Sequence, residues 1–180
     1  KKARLAKQAY YSMAAAPASK RNLALVSLLR GLKENRKAII AQNTKDLLAA
    51  QKSGLAMPLL KRLGLSREKF SEILREVSGV KAQRDPLGRA ISKTLLDTAL
   101  ELSQVTTPLG VVLAIFESRP DALVQISRLA IKTGNCAILK GGSEAKHTNR
   151  MLAKIIRSSL RKSGLPQDAI QLVPTRDRAA

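Results

Sequence analysis

Two short stretches of the 180-residue chain hold side chains whose types and spacing could do chemistry: Glu117-Ser118-Arg119-Pro120-Asp121 and Lys140-Gly141-Gly142-Ser143-Glu144. Each directly follows a short apolar run and opens a helical pattern. Each is therefore expected at the carboxyl end of a strand, where open α/β sheets bind their ligands. In the second stretch, Lys140 can point a compact positive charge into a crevice, and Gly141 and Gly142 let backbone come close to a ligand. The helix opening at Glu144 would offer free N–H groups and a positive dipole end to a phosphate. It is not a P-loop, because the lysine precedes the glycines, and it is not GxGxxG. On pattern alone, a tight βα turn with a solvated lysine fits equally well. In the first stretch, Arg119 is a bidentate clamp for carboxylate or phosphate. The Ser118 hydroxyl and neighbouring N–H groups could serve a developing oxyanion. The alternative there is a helix cap, with Ser118 or Asp121 accepting from N–H groups and Arg119 on the surface.

Other chemistries are excluded or weakened by composition. The single cysteine, Cys136, can form no internal disulfide and fits a reducing, cytoplasmic setting. It lies inside an apolar run, where a thiol is an inert small hydrophobe rather than a nucleophile. One histidine, His147, builds no zinc site and is expected as an exposed helix residue. A net charge of +20, from 33 Lys and Arg against 13 Asp and Glu, draws polyanions and phosphate-bearing ligands. A basic α/β module that binds nucleic acid or another polyanion is thus the competing reading. Specific nucleic-acid binding is disfavoured, because the basic residues are spread over several helices and aromatics are only 2%. No apolar run reaches membrane length. The basic N-terminus lacks the apolar stretch of a secretory signal and reads as a first helix. A chain that starts with Lys reads as a piece of a longer one.

The elements that must position the two stretches follow from periodicity. Residues 1–15 form a helix, interrupted at Pro17. Ser19 is a plausible N-cap for the next, which carries Leu25, Leu28, Leu29 and Leu32 on one face. A third holds Ile39, Ile40, Leu47 and Leu48 and stops at Ser53-Gly54. Pro58 starts a short helix closed by Gly64. Ser66 caps another, with Glu68 in its first turn and Phe70, Ile73, Leu74 and Val77 as its buried stripe; Gly79 is expected to end it. Residues 95–102 are ambiguous, and 102–107 read as extended. Residues 110–116 read as a central parallel strand, apolar on both faces. A helix over 122–133 with Leu123, Ile126, Leu129 and Ala130 inward, a strand over 136–139, a helix over 144–163 and a strand over 170–173 complete the order. The expected fold is α/β: a helical N-terminal part, residues 1–88, then a Rossmann-like parallel βαβαβ unit, residues 89–180, that is cut short.

The run VTTPLGVVLAIFESRPDALVQISRLAIKTGNCAILKGGSEA, residues 105–145, resembles the most recognisable block of the glutamate-5-semialdehyde dehydrogenase (gamma-glutamyl phosphate reductase) family, within the aldehyde dehydrogenase superfamily. LLKRLGLSREKF at 59–70, DPLG at 85–88 and the ending at 172–178 agree with it. The resemblance implies an oxidoreductase of proline biosynthesis that reduces L-glutamyl 5-phosphate to glutamate 5-semialdehyde with NADPH and releases phosphate. It implies Lys140 and Glu144, with Gly141, Gly142 and Ser143, at the adenosine ribose or its 2′-phosphate. Ser118 falls at an oxyanion-hole asparagine, and Arg119 and Glu117 are possible substrate contacts. The family's catalytic cysteine lies beyond residue 180, so this stretch is expected to be inactive by itself. A homo-oligomer is possible for the whole enzyme.

Overall fold

The computed structural model describes residues 1–173. Five helices come first: α1 (Lys2–Ala14), α2 (Ala18–Glu34), α3 (Arg36–Lys52), α4 (Met57–Leu63) and α5 (Arg67–Ala82). A hairpin comes next, β1 (Ala90–Asp97) and β2 (Leu100–Val105). Then come β3 (Val111–Phe116), α6 (Pro120–Lys132), β4 (Cys136–Gly141), a 3-10 turn (Ser143–Ala145), α7 (Lys146–Lys162) and β5 (Ile170–Leu172). The three later strands form a parallel sheet in the order β3-β4-β5, so α6 and α7 are its two crossovers. The fold class is α/β, as the alternation of apolar runs and helical patterns requires.

The leucine stripe of α2 supplies much of the shared core. Leu25, Leu28 and Leu32 are fully buried, each contributing about 1.5–3 kcal/mol relative to exposure. They pack in one cluster with Met13 of α1, Phe70 and Val77 of α5, Leu123 of α6, Leu139 of β4 and Ile156 of α7. Ser66 caps α5 by accepting from the Lys69 N–H. Helices α2, α5 and α6 are also tied by two buried cations. Arg21 of α2 donates to both oxygens of Asp85, at 3.1 and 2.8 Å, and to the Lys132 carbonyl. The Lys132 ammonium, at the end of α6, donates to Asn22 Oδ1, Lys81 O and Gln83 O. Together they fix residues 81–85, at the end of α5, against α2 and α6.

Several local expectations are corrected. Pro17, not Ser19, precedes the first turn of α2, and no side chain caps it. Helix α5 runs past Gly79 to Ala82, because Val80 is drawn into the core at 5% exposure. Leu129 is 48% exposed and lies off the inner face of α6. The strand at 111–116 is at the edge of the three-stranded sheet rather than its centre; β4 is central. Leu113 and Ile115 are 61% and 72% exposed, so β3 is apolar on both faces but covered on only one. The stretch at 95–102 resolves into the turn and flanks of an antiparallel hairpin. The resemblance seen at 172–178 falls mostly outside the described residues, from 174 on.

Candidate functional site

Strands β3 and β4 run in register to their carboxyl ends, with Ile115 beside Lys140 and Phe116 beside Gly141. The two chemistry-bearing stretches therefore leave the sheet side by side. Lys140 is the penultimate residue of β4, at the sheet's carboxyl edge as expected. By register it shares a face with Ile138, Leu113 and Ile115. That face offers an exposed apolar strip leading to a lysine, and Lys140 itself engages a neighbour.

The structure revises why the glycines are there. A Cβ on Gly142 would strike the Glu144 carboxylate, and one on Gly141 would strike Asn149 Nδ2 and lie 3.1 Å from Phe116. The space beside both glycines is filled by the protein's own side chains. Their smallness serves internal packing. Neither has a positive φ.

The helix N-terminus after this turn is also taken. Asp46 of α3, 2% exposed, accepts from the His147 N–H at 3.0 Å, the Thr148 N–H at 2.7 Å and the Thr148 hydroxyl at 2.6 Å. A carboxylate thus already neutralises the positive end of α7. The His147 and Thr148 N–H groups are therefore not free for a phosphate, contrary to the expectation for this part of the helix start. The sequence carries no local sign of this role for Asp46, because its partners lie about a hundred residues further along the chain. Its neighbour Asn43 belongs to the same device, donating to Leu63 O and Thr148 Oγ1 and accepting from the Leu65 N–H. His147 is half-buried at the end of this cap rather than fully exposed.

The carboxylate of Glu144 reaches across to the first turn. Its Oε1 accepts from the Ser118 backbone N–H and, at 3.0 Å, from the Ser118 hydroxyl. Ser118 is 1% exposed. Glu144 also lines a cleft of about 330 Å³, beside Ser143, Ala49, Ser53 and His147. Arg119, half exposed, pairs with Asp121 at 2.9 Å. The Asp121 hydrogen bond and charge raise the guanidinium pKa above its ordinary value against the opposing effect of burial. Neither Ser118 nor Asp121 caps α6 by a side-chain hydrogen bond. Cys136 is fully buried at the start of β4, and burial pushes its thiol up to about 12. It cannot supply a thiolate near neutrality. Among the described residues no group of His, Cys, Asp and Glu could hold a metal ion, and no helix is long and apolar enough to cross a membrane.

The residues present suit one part of a dinucleotide better than another. Lys140 at the carboxyl end of β4 has the charge to meet a phosphate or ribose hydroxyls, whereas one oxygen of Glu144 is engaged by Ser118. The capped start of α7 does not match a pyrophosphate.

A parallel sheet with this edge, preceded by these helices, defines a class that the whole sequence confirms. The aldehyde dehydrogenase family model matches residues 1–180, and the chain belongs to that family. Within it, the chain is 48% identical over 174 residues to the gamma-glutamyl phosphate reductase of Pelotomaculum thermopropionicum, an alignment covering 97% of this chain and 40% of that protein. The crystal structure of gamma-glutamyl phosphate reductase from Saccharomyces cerevisiae superposes with a TM-score of 0.94 at 39% identity, over 98% of this chain and 46% of that one. The reductase from Thermotoga maritima superposes with a TM-score of 0.95 at 29% identity, over 99% of this chain and 43% of that one. The chain spans about 40% of the length of the curated relatives it matches.

Proposed function

We propose that this chain is the cofactor-holding part of a gamma-glutamyl phosphate reductase, which reduces L-glutamyl 5-phosphate to glutamate 5-semialdehyde at the expense of NADPH and releases phosphate. The observation that carries the reading is the 48% identity over 97% of the chain to a protein of that name. Residues 1–88 and 89–180 form one cofactor-binding unit in this reading. The bound nicotinamide would supply a hydride. The chain's own contribution is to hold and orient. Lys140 takes the adenosine ribose or its 2′-phosphate by charge and hydrogen bonding. Gly141, Gly142 and Ser143 shape the turn beside it, and Glu144 forms the wall between that turn and Ser118. Arg119 and Glu117 face the acyl phosphate, whose negative charge Arg119 can meet. Ser118 is not carried forward as an oxyanion donor, since Glu144 holds both its N–H and its hydroxyl. Expected partners are the small-molecule substrate and NADP(H), in the cytoplasm, with no specific nucleic acid.

The test is turnover by the natural full-length protein. NADPH oxidation that depends on an acyl phosphate, with stoichiometric phosphate release and a large loss in Arg119→Ala, supports the reading. NADPH oxidation indifferent to the acyl phosphate, or kinetic constants untouched in Arg119→Ala, overturns it.

A further inference from the structure

We infer that Glu144 is a positioning residue that locks the backbone of Ser118, so that the cofactor-side turn sets the geometry of the substrate-side turn. The inference rests on the proposed assignment of residues 117–121 to the substrate side.

Ser118 has φ 49°, the left-handed region that L-residues disfavour. Among the described residues the other non-glycine with positive φ is Ala99, in the exposed turn between β1 and β2. Ser118, by contrast, is buried, two residues beyond the end of β3. A disfavoured conformation persists where its surroundings over-determine it. Here both hydrogen bonds that Ser118 donates reach one oxygen. Glu144 Oε1 accepts from both the amide and the hydroxyl of Ser118, and a carboxylate makes both bonds charge-assisted.

The supply of that oxygen is built into the sheet. Phe116 and Gly141 are the last paired residues of β3 and β4, so the two turns start level. The carboxylate folds back over Gly142, where any Cβ would displace it. A residue with a side chain at Gly142 would therefore break the lock without touching Ser118. The lock also fixes the path of the next residue. Arg119 leaves Ser118 with φ −137° and ψ 80°, and its guanidinium is then held by Asp121. Turning Ser118 out of the left-handed region would re-aim Arg119. Glu144 in turn borders the cleft with Ser143 and His147, so a ligand there bears on the residue that holds Ser118.

A residue that only touched the cofactor would not be rescued by a change at Ser118, and this separates the roles. Glycine adopts a positive φ without help. In the natural full-length protein, Glu144→Ala should lower kcat/KM for the acyl phosphate by about tenfold. Ser118→Gly placed in that background should bring it back to within about threefold of Ser118→Gly alone, a non-additive cycle. Strictly additive losses, or a Glu144→Ala effect confined to KM for NADPH, overturn the proposal. Backbone hydrogen exchange at Ser118 gives a readout independent of turnover. The amide should be protected in the parent and in Glu144→Gln, which keeps an acceptor oxygen, and should exchange about tenfold faster or more in Glu144→Ala. The one-methylene-shorter Glu144→Asp gives the same comparison if the alanine variant does not fold. Equal protection in parent and truncated variants sinks the lock. Protection as expected in a protein that binds no NADPH would leave the lock standing and remove the cofactor reading instead.

Discussion

Replacing Asp46 by alanine gives a sharp test of how α3 and α7 are joined. The side chain is 2% exposed and accepts from two backbone amides and one hydroxyl at the start of α7. Losing a helix-start acceptor costs about 1–2 kcal/mol. Losing a negative charge at the positive end of the dipole costs about 0.5–1 kcal/mol more. The sum, about 1.5–3 kcal/mol, corresponds to a fall of roughly 3–12 °C in Tm for a chain of this size. Thermal and urea unfolding followed by circular dichroism measure it directly. A second arm uses the vacated amides. With the carboxylate gone, sulfate should stabilise Asp46→Ala more than the parent, because an uncapped helix start is an anion site. A variant within about 0.5 kcal/mol of the parent, with the same response to sulfate, would refute the claim that Asp46 occupies this helix end.

The remaining predictions concern other buried groups. Arg21→Met leaves Asp85 and the Lys132 carbonyl without their donor; breaking a fully buried pair costs about 3–5 kcal/mol, and since Asp85 is 34% exposed about 2 kcal/mol is expected by urea unfolding. Burial raises the Asp85 pKa, but the bonds from Arg21 and the Leu87 amide outweigh it, so the carboxyl lies below its ordinary value. Its contribution is therefore complete above the ordinary carboxylate range and fades as pH falls through the lowered value, and Asp85→Asn should flatten that acid limb. Cys136, with its thiol pushed up to about 12, should resist iodoacetamide at about pH 8 in the folded chain and react once unfolded; native labelling would contradict its burial.

What the sequence revealed and what it hid divide along physical lines. The strands at 111, 136 and 170 were legible because short apolar runs are bounded by glycine, proline and helical patterns. Ser66 was legible as a cap because a cap is a local device. The β1–β2 hairpin was not. Its turn is Thr98-Ala99, with Ala99 at φ 68°, where the usual signal is Asn-Gly or Asp-Gly. All its residues are exposed, so no buried face imposes alternation. At the site, Lys140 could be placed from the sequence because it lies near the end of a strand. The roles of Asp46 and Glu144 could not, because each acts on backbone far along the chain, 26 residues away for Glu144 and Ser118. The diglycine shows how one signal supports two explanations. Small residues are expected beside a ligand, and Glu144, Asn149 and Phe116 also require them.

The central claim is that this edge of the sheet holds NADP(H) through Lys140, and a titration of the chain with NADPH, followed by nucleotide fluorescence at low salt, tests it most directly. Saturable binding that weakens about tenfold or more in Lys140→Ala is the predicted result. Binding of equal strength in parent and variant, or none up to roughly millimolar NADPH, would contradict it.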